Sequence, residues 1–468
     1  MVRTEKSLLN TEIESSLVSG CHAGSRISDM DDCSSDISGH DNQIDCVLVS
    51  SHHYPENFAN ELQANLNYFK DGVGVSAQSK IPFDNILLSN GEITPASYAN
   101  STAIGLYLNI LVEMQRAGDN KAATRLGEVI TRLEQAPKWN GLFYWLYDLD
   151  NSGLAAPDDG VISAVDNGNL ALSLATIVGA FHDDADVTLA KLAQRSAMLL
   201  DNKKHGWSRL YDPSKGLLRA GWDPAKGAFI PYHIDRKANE SRLATIWAVL
   251  ATADMGSQAV PVTAFTDMEL ITAEYNKNGH YLEPMLTWDG SYFQALLPAL
   301  WLDEASLMPD YQIVRDFSAA HQDFADKHNI PFASASTTIN NGYAPYGLKA
   351  VSESYLRFNN DIHSATTGTP HALALYALLD KKDAIDRLLA IKQQYPAIES
   401  HAGWFDAIDD AGNISNKIIG LDQGMFVAAF LSQAIRADVK AYLDQRGSTQ
   451  QLEELYQSFL SDAIVGQS

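Results

Sequence analysis

An all-α chain whose helical hairpins close into an (α/α)6 toroid around a central cleft is the fold the sequence predicts, and three observations carry that prediction. Apolar residues recur at i, i+3 and i+4 through successive segments between residues 97 and 464. Loops heavy in Trp, Tyr, Asp and Gly separate these segments and return at roughly 60- to 80-residue spacing, as an array of helical hairpins requires. The 468 residues, 46% of them hydrophobic, suffice for a large core.

The order begins late. Residues 1–60 include "CHAGSRISDMDDCSSDISGHDNQIDC", rich in Ser, Asp and Gly with little periodicity, and are expected to be disordered, leaving 61–468 as a single domain. Cys21, Cys33 and Cys46 all fall in this stretch, so no disulfide or thiolate metal site is available after residue 46. "LVSGC" at 17–21 resembles a lipoprotein cleavage box and points to the periplasm or cell envelope, whereas Glu12 and Glu14 before it deny it a hydrophobic signal core. Helical patterns then run over 97–118, 120–136, 167–182, 186–202, 239–256, 291–305, 310–328, 370–395 (long enough for two helices), 423–443 and 450–464. Between them lie "KWNGLFYWLYDLDNSG", "HGWSRLYDPSKGLLRAGWDPAKG", "EPMLTWDGSYF", "NNGYAPYG" and "HAGWFDAIDD".

Charge narrows the partners. The 34 Lys and Arg against 58 Asp and Glu leave a formal −24, which repels nucleic acid and anionic membranes but not a neutral sugar chain. No apolar run is long enough to span a membrane. Aromatic faces stack on sugar C–H faces while carboxylates and amides bind hydroxyls, so loops of this composition suit a carbohydrate cleft. The competing reading is that the same aromatics simply plug a large core. "AVDNGNLALSL" at 164–174 sharpens the question, because a helix start needs one capping side chain and this one offers Asp166, Asn167 and Asn169.

Eight stretches, "STAIGLYLNIL", "WNGLFYWLYD", "AVDNGNLALSL", "NESRLATIWAV", "TWDGSYFQALLPALW", "NNGYAPYG", "GWFDAID" and "LDQGM", fall in the order seen in the glucoamylase-like family. Over about residues 95–435 the chain resembles the bacterial endo-β-1,2-glucanases of glycoside hydrolase family 144 and the central domain of cyclic β-1,2-glucan synthases. The resemblance implies a glycoside hydrolase on an (α/α)6 toroid, taking an oligo- or polysaccharide and needing no cofactor or metal. In the synthases the segment matching "NESRL" reads Ser-Glu-Ala-Arg-Leu, which implies Glu240 as general acid with Arg242 beside it as a sugar contact. Such a role needs a carboxyl kept protonated by burial. The plainer reading of Glu240 is an ion pair with Arg242 or Arg236. "AVDNGNL" matches Val-Asp-Ser-Gly-Asn-Leu, which implies that Asp166 and Asn169 face the cleft. The base is left open between Asp166 and Asp422. Tyr144, Asp148, Trp288, Tyr343, Trp404, Asp406 and Gln423 complete the expected sugar contacts, and Gly424 is expected to let the backbone approach a ligand.

Departures from the family bear on mechanism. Where the synthases carry Trp-Gly-Ile-Ser-Glu, this chain has Phe332, Ala333, Ser334, Ala335 and Ser336, so the carboxylate of a retaining transglycosylase is missing and inversion is expected. Asp289 in "WDGSYF" and Met425 after "LDQG" also differ, which touches linkage specificity. Asp148, Asp150, Ser152, Gly153 and Asp159 imitate a calcium loop, but Asp replaces the bidentate Glu at the last position and no exit helix follows. His233, His363 and His371 show no zinc spacing and are expected to be structural or exposed. Two rivals remain: a non-catalytic glycan-binding or polysaccharide-assembly protein, and a lyase, which the acidic chain disfavours because a polyuronate would be repelled.

Overall fold

In the computed structural model, which describes residues 54–150, 153–334, 336–344, 346–363, 366–461 and 464–465, several helices begin where a side chain replaces a missing backbone partner. Helix α1 spans Glu56–Leu66. Asn100 accepts from the amides of Thr102 and Ala103 to start α2, Ser101–Arg116, and α3, Ala122–Gln135, follows. Ser163 and Asp186 cap α4, Ala164–Phe181, and α5, Val187–Asn202. Next come α6, Arg242–Thr252, and α7, Gln312–His328. The pattern over 370–395 breaks into α8, Pro370–Leu375, and α9, Lys381–Gln394, the second capped by Asp380. Helix α10, Gly420–Arg446, stops at Gly447, whose left-handed φ of 67° suits glycine, and α11, Thr449–Gln457, follows. Over 291–305 the helix Tyr292–Leu296 gives way to a 3-10 turn with Pro298 in its first turn.

Two kinds of helix emerge from the burial. All eleven residues of α6 are buried, and α2, α4 and the first third of α10 are enclosed almost all round. By contrast α3 buries one stripe, Ala122, Leu126, Val129, Ile130 and Leu133, as an outer helix does. Helix α4 packs on α2, α5, α6 and α10, while α10 also packs on α2 and α8. Gly424 serves this packing and not a ligand: a Cβ there would sit 2.9 Å from Leu106 of α2.

The expectation of an all-α chain is corrected by short, mostly antiparallel strands at the starts of the enclosed helices. Tyr98–Asn100 leads into α2, Ile162–Ser163 into α4 and Lys417–Ile419 into α10. Strand Asn85–Ser89 pairs with Lys417–Ile419, Asn85 facing Ile419 and Leu87 facing Lys417. The boundary expected at residue 60 also moves. Phe58 is fully buried with its ring centroid 4.7 Å from that of Phe430, and the Tyr54 hydroxyl donates to the Phe430 carbonyl at 2.8 Å. The cysteines and the "LVSGC" box lie outside the described residues, in which no helix is long and apolar enough to cross a membrane. The calcium-like stretch forms a hairpin, Leu146–Asp150 with Gly153–Ala155, and the Gly153 amide donates to Asp150. Ser152 lies outside the described residues.

Candidate active site

The strand-to-helix junctions converge on a cavity of about 490 Å³. Asp84, Asp166, Glu240 and Asp422 line it with Asn100, Thr102, Ser163, Asn169, Tyr343 and Lys417, against an apolar wall that includes Trp145, Phe293, Leu297 and Met425. A larger groove, about 710 Å³, lies along the far half of α10 beside α11, and its two cations are ion-paired, Arg436 with Asp303 and Lys440 with Asp444. The chemistry is concentrated in the smaller cavity.

Asp166 sits in the first turn of α4, with its amide donating to the Ser163 hydroxyl. The cap is therefore Ser163, not the amide-rich cluster after it. Asn167 instead clips the loop before the helix, accepting from the Phe143 amide at 2.8 Å and donating to the Phe143 carbonyl at 2.7 Å. The Thr102 hydroxyl donates to Asp166 at 2.7 Å, and Asn169 donates to Thr102 at 3.2 Å, leaving the buried Asn169 Oδ1 without a partner among the described residues. Burial lifts the Asp166 pKa to about 6, with the Ser163 and Thr102 hydroxyls pulling the other way.

Glu240 lies two residues before α6. Burial raises its pKa to about 7, with the Asp289 and Asp166 charges adding to the rise and a backbone hydrogen bond and Arg242 opposing it. Its Oε2 is buried with no hydrogen-bond partner among the described residues. The expected contact of Arg242 with sugar is corrected, because its side chain is fully buried. Its five N–H groups are all used: two on Glu304 at 2.8 and 2.6 Å, and one each on the carbonyls of Ala238, Asn239 and Ala295. Two of those carbonyls belong to the residues just before Glu240, so Arg242 fixes the loop that presents the acid. Arg236 pairs with Asp235, Glu269 and Glu353, so neither arginine forms the ion pair with Glu240 that a surface role would need.

Asp422, in the first turn of α10, stands before a buried cluster. His371 Nδ1 lies 3.5 Å from Asp422 Oδ2 and 3.6 Å from Asp406 Oδ1. The amide and hydroxyl of Thr337 both donate to Asp406. Against the cost of burial, donors from His371, Asp422 and Thr337 hold Asp406 below the usual aspartate range. Burial and the neighbouring Asp406 charge push Asp422 well above it. Among the described residues, these three are the group whose spacing would allow a cation, their ligand atoms falling within 4.8 Å of one another. His371 is thus buried, as expected, though among carboxylates. His233 pairs with Asp212 at 3.0 Å, and His363 packs on Tyr346.

Other expected contacts are also corrected. Asp406 is enclosed behind Asp422, outside the cavity lining. Trp404 is fully buried and cannot stack on a sugar, and Gln423 donates to its carbonyl at 3.0 Å. Tyr144 packs edge-on against Tyr147, and its neighbour Trp145, 44% exposed, is the ring that lines the cavity. Asp148 is exposed in its strand, opposite Tyr98 and Ala155, away from the lining. Trp288 lies outside the lining too, half-exposed against Phe358, with its amide donating to Asn239 beside Glu240. Tyr343 lines the cavity with its side chain exposed, at the position expected of it. The sequence reading overlooked Asp84, Trp145 and Lys417. No local signal separates Trp145 from its neighbour Tyr144, and Asp84 and Lys417 meet only through the pairing of strands more than 300 residues apart.

No protein-family model and no curated protein matches the sequence. The fold is nevertheless shared with solved structures. An endo-β-1,2-glucanase from Talaromyces funiculosus, in complex with β-1,2-glucan, superposes with a TM-score of 0.74 at 12% identity, over 91% of this chain and 97% of that one. The endo-β-1,2-glucanase from Chitinophaga pinensis, with sophorotriose and glucose, gives 0.67 at 16% identity, over 85% and 97%. A β-1,2-glucanase from Parabacteroides distasonis gives 0.65 at 15%, over 87% of this chain and 61% of that one. The resemblance read from the sequence and the fold found in the structure point to the same group of proteins.

Proposed function

We propose that this protein is a glycoside hydrolase that cleaves a glucan, with β-1,2-linked glucose as its substrate class, on an (α/α)6 toroid whose inner ring includes α2, α4, α6, α8 and α10. The observation that carries the reading is the Glu240 carboxyl, held near pKa 7 in a sugar-sized cavity that it shares with other carboxylates. A carboxylic acid that keeps its proton close to neutrality can deliver it to a glycosidic oxygen. Glu240 is the general acid in this reading.

Asp422 is the base. Burial beside Asp406 strengthens its affinity for the proton of an attacking water, and the role requires that Asp422 be ionised before the attack. Asp166, with Thr102 and Asn169, orients the sugar. One observation supports the alternative assignment: with a pKa of about 6, Asp166 is mostly ionised at pH 7, as a base must be. Inversion follows from the 332–336 segment, where Phe332 fills the core and the Ser334 hydroxyl is engaged with Ser291 and the Phe293 amide. The test is a digest of β-1,2-, β-1,3- and β-1,4-glucans, with product anomers followed by NMR, then azide rescue. Asp422→Ala should regain turnover in azide and form a glycosyl azide, and Asp166→Ala should lose binding. Rescue of Asp166→Ala alone would transfer the base role to Asp166. No reducing ends from any glucan would leave a glycan-binding protein, and an absorbance rise from unsaturated sugar would mark a lyase.

A further inference from the structure

Asp84 is a cavity carboxylate with no part in the acid and base assignments above. Its backbone is pinned on both sides: the Asp84 amide donates to the Tyr98 carbonyl at 2.8 Å, and its own carbonyl accepts from the Gly420 amide at 2.7 Å. One side-chain oxygen accepts from Asn85 Nδ2 at 2.9 Å, and the same Asn85 group donates to the Tyr98 hydroxyl at 3.1 Å. The second oxygen has no protein partner among the described residues. Burial raises the carboxyl, and the Asn85 hydrogen bond and the Lys417 charge oppose the rise. Lys417 reaches the same cavity from the paired strand and forms no ion pair among the described residues. A carboxylate just before one strand and an ammonium on its hydrogen-bonded partner, each with unused hydrogen-bonding capacity, therefore face one cavity.

We propose that Asp84 and Lys417 form a diol-reading subsite that binds two adjacent free hydroxyls of one glucose unit. This rests on the hydrolase reading and gives it a linkage rule. The carboxylate accepts from one hydroxyl, and the ammonium donates to the oxygen of its neighbour. Charge-assisted bonds of this kind are about twice as strong as neutral ones. A glucan joined through O1 and O2 keeps the 3- and 4-hydroxyls of each unit free. A β-1,3 chain has spent the first of these and keeps no adjacent free pair, which leaves the clamp half-occupied with a buried group unpaired; a β-1,4 chain has spent the second and offers its 2,3-pair, one position round the ring from where the clamp meets a β-1,2-linked unit.

Binding decides the matter without turnover. The Glu240→Gln protein is titrated calorimetrically with a β-1,2-linked tetrasaccharide of glucose and with its β-1,3 and β-1,4 counterparts. The β-1,2 sugar should bind tightest. Adding Asp84→Ala or Lys417→Met should weaken that binding about tenfold each, as loss of a charge-assisted bond implies. The two together should weaken it far less than the roughly hundredfold expected of independent sites, since both read one sugar unit. Asp84→Asn, which keeps an acceptor oxygen, should lose less than Asp84→Ala, and it keeps the test open should the alanine variant fold poorly. If Asp84→Ala and Lys417→Met bind the β-1,2 sugar as tightly as their parent, or all linkages fall equally, the diol clamp is wrong and the hydrolase reading stands. If the Glu240→Gln protein binds no glucan of any linkage, both readings fall.

Discussion

Glu240→Gln should make the protein more stable at pH 8 while removing its proposed chemistry. In the folded chain Glu240 binds its proton with a pKa of about 7, against 4.5 for a glutamate in water. Because the folded value is the higher one, the stability that goes with the protonated carboxyl is fully present below pH 4.5. It is lost progressively as pH rises through 7. At about 1.36 kcal/mol per pH unit, the wild type gives up about 3 kcal/mol over that window, the order of cost for burying the unpaired charge. Glutamine has the shape of the protonated acid and no charge to bury, so the variant should match the wild type at pH 4.5 and exceed it by about 3 kcal/mol at pH 8. Paired urea unfolding curves at each pH measure the difference. The same substitution should lower kcat/KM on the natural glucan by about 10²- to 10⁴-fold, the usual worth of a general acid, and activated glycosides should be spared most. A stability difference that is the same at pH 5 and pH 8 would show that Glu240 titrates as it does in water, and the argument for it as the acid would fail.

Arg242→Met should destabilise the fold by about 3–5 kcal/mol, because it strands the buried Glu304 carboxylate, and chemical denaturation will measure it. Changing Glu304 to Gln in that background should recover part of the loss. Deleting residues 1–53 should leave the melting temperature nearly unchanged, since a composition of that kind cannot support a core. Deleting 1–66 should lower it sharply by removing Phe58 and the Tyr54 bond to α10. Trp145→Ala should raise KM for glucan about tenfold or more with little change in melting temperature, since an exposed ring that stacks on sugar holds little of the core.

The parts of the structure legible in the sequence are those governed by local rules. The patterns over 97–118, 186–202 and 310–328 each became a helix, because apolar spacing alone decides which side a helix buries. Glu240, Asp166 and Asp422 were found because each sits in or just before the first turn of an enclosed helix, in a motif that the resemblance supplied. The failures share a cause. Arg242 and Trp404 look identical in sequence whether they face a sugar or a core, and only three-dimensional packing shows that Glu304 and α10 cover them. Asp84 carries no local motif, and its place in the cavity comes from a strand contributed by the other end of the chain. Helix α1 escaped notice because its apolar residues Phe58, Leu62 and Leu66 are set among polar ones next to a stretch of low complexity.

The Tyr54 hydroxyl meets Phe430, Asp84 meets Gly420, and Arg116 meets Asp438 across 322 residues. These contacts fasten the first described segments to the last long helix, so the cavity is absent from a growing polypeptide until residues beyond 430 have left the ribosome. At about 5–20 residues per second, the enclosed faces of α2, α4 and α6 wait for tens of seconds with α10 still missing. A nonsense mutation just before α10 would yield a chain that keeps Asp84, Asp166 and Glu240 but lacks Asp422 and the helix that packs on α2 and α4. Production of this protein in a foreign host should therefore depend more on translation rate and temperature than on substitutions around the cavity.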